Sequence, residues 1–304
     1  MKKIIGFFLI FTIILFFYLQ CNFTGNSSGD GDNDSGSTGS PNTSRIIDHT
    51  CINIDYIPIS AINNAKSSLH IAYGHTSHGN QIIEGMNDLD AFKGGTDLYV
   101  WNDGPLAGYL DIDDDFVGGD LGNPDRTTWA QRTRDYLDEI ANSDVNVVIW
   151  SWCGQADTSE DNIEIYLNLM NDLESDYPDV TFIYMTGHLN GGGVIGNLHQ
   201  RNEQIREFCR NNNKWLYDFA DIESYDPDGL VNYNELLADD NCDYDADGSL
   251  PRAETGNWAT EWQDAHPGEW YSCSPDHTQP LNGNLKAYAA WWLWARIAGW
   301  DANP

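Results

Sequence analysis

Residues 68–86 read SLHIAYGHTSHGNQIIEGM. The apolar run Leu69 to Tyr73 stops at Gly74, and His75, Thr76, Ser77, His78 and Gly79 follow. Ile82, Ile83 and Met86 then recur at helical spacing. A β-rich run that passes into a helix through a glycine-framed polar turn is a strand–turn–helix unit. Such a turn lifts a hydroxyl out of the backbone and points free N–H groups of the helix start at the same place. Ser77 is therefore a candidate nucleophile. A plain helix cap by Thr76 or Ser77 would use the same residue types.

Working outward, four more β-rich runs appear: DLYVW (97–101), VNVVIW (145–150), VTFIYMT (180–186) and KWLYDF (214–219). The 145–150 and 180–186 runs are almost wholly apolar, as strands covered on both faces are. Helical patterns separate most of the runs. Trp129, Arg132, Tyr136, Leu137 and Ile140 mark one, and Ile163, Tyr166, Leu167, Met170 and Leu173 another. A third lies in HQRNEQIREFCRNNN (199–213), and a terminal helix, NLKAYAAWWLWARIAGW, is apolar nearly all round. Strands alternating with helices predict a three-layer α/β fold around a parallel sheet of about five strands. In such sheets ligands sit beyond the carboxyl ends of the strands. Ser77, the SWCGQAD segment (151–157) and the GHLNGGG segment (187–193) all lie just past strand ends and are expected to converge. The segment 111–115, DIDDD, reads as a solvated acidic loop.

The net charge of −32 argues against nucleic acid and anionic lipid headgroups as ligands. The first residues, MKK, precede a 16-residue apolar run and then Gln20–Cys21. That pattern predicts a signal peptide over 1–20 and a bacterial lipoprotein lipidated at Cys21. An uncleaved membrane anchor is the alternative, and either places the chain outside the cytoplasm, at the cell surface or in the periplasm. Residues 21–44, rich in Gly, Ser, Asn and Asp, read as a tether, and the folded domain spans 45–304. Of the five later cysteines, Cys242 and Cys273 are the best disulfide pair, while Cys153 and Cys209 suit buried thiols.

A serine nucleophile needs a base, and the PDHTQPLN block (275–282) places His277 in a polar loop just before the terminal helix. With GHTSHG at the other end, the chain resembles the SGNH/GDSL hydrolases, and in particular secreted bacterial lipoproteins carrying an SGNH-like domain. The resemblance runs from about Ser68 to Trp300. It implies a flavodoxin-like three-layer fold in which Ser77 attacks an acyl carbon and His277 takes its proton. The position three residues before His277, where the family usually has Asp, is Ser274, so Asp276 or a backbone carbonyl is left to orient the ring. The resemblance implies that Gly122 (or Gly119), Gly154 and Gln155 supply oxyanion donors. His75, His78 and His188 are candidate substrate-binding groups, able to hydrogen-bond sugar hydroxyls or to hold a transition metal.

The segment DYDADGSLPRAE (243–254) fits the D-x-D-x-D-G-x5-E calcium pattern. Asp243, Asp245, Asp247, the Ser249 carbonyl and Glu254 are its candidate ligands, with Leu250 expected to be buried. Residues 221–254 hold eleven acids and one base, a balance that a structural Ca²⁺ in an insertion at 239–256 would relieve. No organic cofactor is expected. The function expected is a surface-anchored serine esterase or deacylase removing acyl (acetyl) esters from extracellular carbohydrate. Trp101, Trp129, Trp150 and Trp152 are candidate stacking platforms. The alternative is a non-catalytic lipoprotein that binds glycan or a partner on the same fold.

Overall fold

The computed structural model describes residues 45–302; Cys21, the signal segment and the tether fall outside them. The sheet has seven strands, all parallel: β1 (Ile46–Ile47), β2 (His70–Gly74), β3 (Trp101–Asn102), β4 (Leu110–Asp114), β5 (Val147–Trp150), β6 (Thr181–Met185) and β7 (Trp215–Tyr217). Their order is β1-β7-β6-β5-β2-β4-β3. From β2 the chain moves outward to β3 and β4 on one side, then returns to place β5 on the other. The strand order thus reverses about β2, which is where open α/β sheets form their ligand crevice.

Alternation along the strands sorts the helices into two layers. Ile71, Tyr73, Val147, Ile149, Ile183, Met185 and Tyr217 point to one face. There they meet α1 (Ile59–Ser68), α2 (Ser77–Phe92) and α8 (Pro280–Ile297). Ala72, Val148, Trp150, Phe182, Tyr184 and Leu216 point to the other and meet α3 (Thr128–Leu137), α4 (Glu160–Asp176) and α5 (Asn197–Asn211). The expected three-layer fold is observed, with two more strands than the pattern revealed.

One addition is a correction. The acidic run 111–115 is mostly strand: Leu110 and Ile112 are buried, while Asp111 and Asp113 face His70 on β2. Asp113 also accepts from Tyr136, so the carboxylates have partners rather than water alone. The 97–101 run contributes only Trp101 to a strand, and the helix expected to include Ile140 ends at Leu137, leaving Ile140 exposed.

Helix α8 is the central rod of its layer, buried from Leu281 to Ala295. It crosses α2 almost backbone to backbone, since a Cβ at Gly85 would lie 2.0 Å from the Gly283 carbonyl oxygen. The one ammonium in this rod, Lys286, is fully buried and donates to Glu223 at 2.7 Å and to Gln81 of α2. It lies 3.6 Å above the Phe219 ring. Short helices α6 (Phe219–Ile222) and α7 (Trp258–Ala265) and a small hairpin, β8 (Asp243–Tyr244) with β9 (Gly256–Asn257), complete the fold.

Candidate active site

Ser77 is the first residue of α2, three residues beyond the end of β2. The turn is packed tightly. A Cβ at Gly79 would lie 2.3 Å from both His75 Cβ and Ser151 Oγ, so only glycine lets the first helical turn sit on the strand ends. His277 arrives from the loop before α8 with its backbone in the left-handed region, φ 62°, uncommon for a non-glycine residue. Its Nε2 accepts from Ser77 Oγ at 3.0 Å across a separation of 200 residues. Strained backbone of this kind gathers at functional sites.

Asp276 does not orient the ring. Its Oδ2 accepts from Asn80 Nδ2 at 3.1 Å and its carbonyl accepts from Gln81, so α2 holds both its side chain and its backbone. Gly122 and Gln155 do come together: a Cβ at Gly122 would sit 2.9 Å from Gln155 Cβ, and the Leu121 N–H donates to Ser151 at 3.2 Å. Gln155 Nε2, however, points at buried Asp120 at 3.3 Å, which also accepts from Thr76 Oγ1 at 2.9 Å. Gly119 packs against Arg132 instead.

The three histidines separate. His75 turns to β4, placing Nε2 2.7 Å from Asp114 and Nδ1 3.0 Å from the Thr76 carbonyl. Burial pulls its pKa down, but these partners outweigh burial and leave it raised. His78 and His188 stay at the strand ends, and His78 stacks with both His188 and His277. The His78 ring lies 4.0 Å from His188 and 4.7 Å from His277, with planes within 17°. His188 donates Nδ1–H to the Leu189 carbonyl, and burial together with the neighbouring His78 charge holds its pKa below the usual value.

Two members of the cluster had no role in the sequence reading. Cys153, just beyond β5, is half-buried rather than enclosed, and its Sγ lies 3.1 Å from His78 Nδ1 and 3.9 Å from Ser77 Oγ. Asp240 accepts from His78 Nε2 at 2.9 Å. Burial works against a charged His78, yet Asp240 and Cys153 outweigh it and push its pKa up to about 9. The His78 hydrogen bond lowers the Cys153 pKa against the opposing effect of burial. Cys153 was detectable as a thiol just past an apolar strand; Asp240, 162 residues from His78, carried no local signal.

The groove beside Ser77 has a volume of about 580 Å³ and is lined by Glu84, Trp101, Asp114, Asp115 and Asp276 among others. Trp101 thus stands at the cleft. Trp129, Trp150 and Trp152, also candidate platforms, are core residues no more than 3% exposed.

Among the described residues all five cysteines are free, so the expected Cys242–Cys273 bridge is absent. Cys242 Sγ contacts Thr278 Oγ1 at 3.3 Å, whereas Cys273 Sγ contacts the Pro280 carbonyl at 3.4 Å, each buried against a different partner.

The calcium-like loop is closed by the β8–β9 hairpin. Asp245 accepts from the Asp247 and Ala253 amides and Asp247 from the Ser249 amide, so these carboxylates brace the loop. Asp243 accepts from the side chains of Asn241 and Asn257. Arg252 bonds Asp239 at 2.6 Å, the Asp243 carbonyl at 2.9 Å and Glu254 at 3.0 Å. The loop therefore carries a cation of its own. Leu250 is 64% exposed rather than buried. Asp239, Asp243 and Glu254 still bring one oxygen each within 4.8 Å of one another, a group that could hold a hard cation in competition with Arg252. Donor atoms of His78, His188 and Asp240 are equally close together, a spacing used here by the His78–Asp240 hydrogen bond.

No family model matches this sequence, and no curated protein matches it. One solved structure that does match is a Bacteroides fragilis protein described as a "putative acylhydrolase". It is 12% identical, covers 60% of this chain and 80% of its own, and superposes with a TM-score of 0.33, too low to carry an argument about either fold or function.

Proposed function

We propose that this chain is a serine esterase or deacylase of SGNH type, exported and anchored through Cys21, that removes acyl groups such as acetyl from extracellular carbohydrate. The observation that carries the reading is the 3.0 Å contact between Ser77 Oγ and His277 Nε2. In this reading His277 takes the hydroxyl proton as Oγ attacks the acyl carbon, then returns it to the leaving alkoxide. The Ser77 N–H is unpaired within the first helical turn, and it would receive the developing oxyanion with help from the helix start. Four acidic side chains at the cleft favour neutral or cationic substrates over anionic ones, and Trp101 offers a sugar ring a stacking face.

Ser77→Ala should lower steady-state turnover of acetylated polysaccharide, whose leaving group is a sugar alkoxide, by at least about a thousandfold with the fold intact. Retained turnover would overturn the assignment. A second reading, a glycan-binding protein without turnover, is favoured by the Asp276 side chain lying on Asn80 rather than on His277. Binding on a glycan array without ester hydrolysis by the wild type would select it.

A further inference from the structure

The cleft holds two possible nucleophile–base pairs, and the more complete one is not the serine. His78 is bonded at both ring nitrogens, to Cys153 Sγ on one side and to Asp240 Oδ2 on the other. Nucleophile, ring and carboxylate thus follow one another at 3.1 and 2.9 Å, the arrangement that activates a thiol. His277 has Ser77 on Nε2, and its neighbouring acid is engaged elsewhere. The other four cysteines among the described residues are buried, and only Cys153 is partly open to solvent. A thiol that merely filled core space would not need an aligned imidazole and carboxylate. The His188 and His277 rings that sandwich His78 hold its plane and leave the sulfur at the cleft, 3.9 Å from Ser77 Oγ.

We propose that Cys153 is a second nucleophile of this cleft, activated by His78 and oriented through Asp240, and that it takes acyl groups from esters with weakly basic leaving groups and from thioesters. The thiolate attacks the carbonyl carbon and an S–C bond forms. The bond to the leaving oxygen or sulfur breaks, and that atom takes the Nδ1 proton of His78. Water then attacks the enzyme thioester and gives one proton back to Nδ1. The C–S bond breaks, the acid departs and sheds its own proton to solvent, and the thiolate–imidazolium pair is restored. The low basicity demanded of the leaving group follows from the nucleophile, since a thiolate expels phenolates and thiolates far more readily than sugar alkoxides. Only the identity of the electrophile rests on the acyl-transfer reading above; the reactivity of the thiol does not.

The test has two parts, both run in EDTA. Full-length protein is treated with limiting iodoacetamide at neutral pH and mapped by mass spectrometry. Cys153 should react at least about tenfold faster than free N-acetylcysteine, and Asp240→Asn and His78→Gln should each remove that advantage while the thermal transition persists. Ser77→Ala is then mixed with p-nitrophenyl acetate and quenched early. One acetyl group should appear on Cys153, labile to neutral hydroxylamine, and should be lost in the Ser77→Ala/Cys153→Ala double variant. A Cys153 no faster than the free thiol, or one that never carries acetyl, overturns the proposal. A Ser77→Ala variant that turns over normally with acetyl on Cys153 would instead overturn the serine assignment and leave this one standing.

Discussion

Replacing Lys286 by Met removes, among the described residues, the only buried lysine or arginine from the helix layer beneath Ser77. The methionine keeps most of the aliphatic stem, so the cavity term is small. The loss is electrostatic. Glu223, 1% exposed, is left with the Leu189 amide and a 3.5 Å contact from Asn282 as its donors, and Gln81 loses the ammonium it accepted from. Breaking a buried pair by deleting one partner costs about 3–5 kcal/mol, because an uncompensated charge stays behind. For a domain of this size each kcal/mol shifts the midpoint by about 2–4 °C, so the melting temperature should fall by at least about 6 °C. Urea denaturation followed by tryptophan fluorescence measures the free energy directly. Adding Glu223→Gln should restore at least half of the loss, since no charge then remains buried. A single variant that loses less than about 1 kcal/mol, or a double variant no more stable than the single, would refute this account of the core.

Three further outcomes are expected. The raised pKa of His75 means that its bond to Asp114 contributes stability fully below pH 6.5 and loses it as pH rises through the folded-state value. The destabilisation caused by His75→Gln should therefore be larger at pH 6 than at pH 9, and the opposite trend would reverse the sign argued here. Gly85→Ala should cost about 1–3 kcal/mol, because its Cβ would meet the Gly283 carbonyl at 2.0 Å, while Gly283→Ala, whose nearest contact is at 3.1 Å, should cost less. Calcium titration calorimetry should show Arg252→Ala binding more tightly than the wild type and Glu254→Gln binding least, because Arg252 competes for the same oxygens; equal affinities in all three would exclude that competition.

What the sequence disclosed depended on how local the signal was. The runs 145–150 and 180–186 are apolar because both faces of the central strands are covered, and α8 is apolar all round because it is enclosed. Ser77 and His277 were legible because strand ends and helix starts are marked by glycine, proline and polar residues. Strand β4 was hidden because Asp111, Asp113 and Asp114 disguise the alternation of Leu110 and Ile112, and those acids are explained only by His70, Tyr136 and His75, brought in from elsewhere. The pairing of His78 with Cys153 and Asp240 is likewise a product of tertiary structure, as are the bonds of Arg252 to Asp239 and Glu254. The disulfide failed because proximity to loops in the sequence says nothing about the direction in which two thiols face.

The crossing of α2 and α8 has a consequence for how reactivity can change. Ser77 opens one of these rods and His277 lies three residues before the other, so the gap between hydroxyl and imidazole is inherited from the place where the rods touch. That place is about 12 Å from Ser77 along the rod, eight residues at helical rise, and contains no chemistry at all. A methyl group there would act as a wedge, prying that hydroxyl and imidazole apart while every residue around them stayed the same. Drift at a pair of glycines would then be enough to undo the Ser77–His277 contact without altering a single polar residue around it.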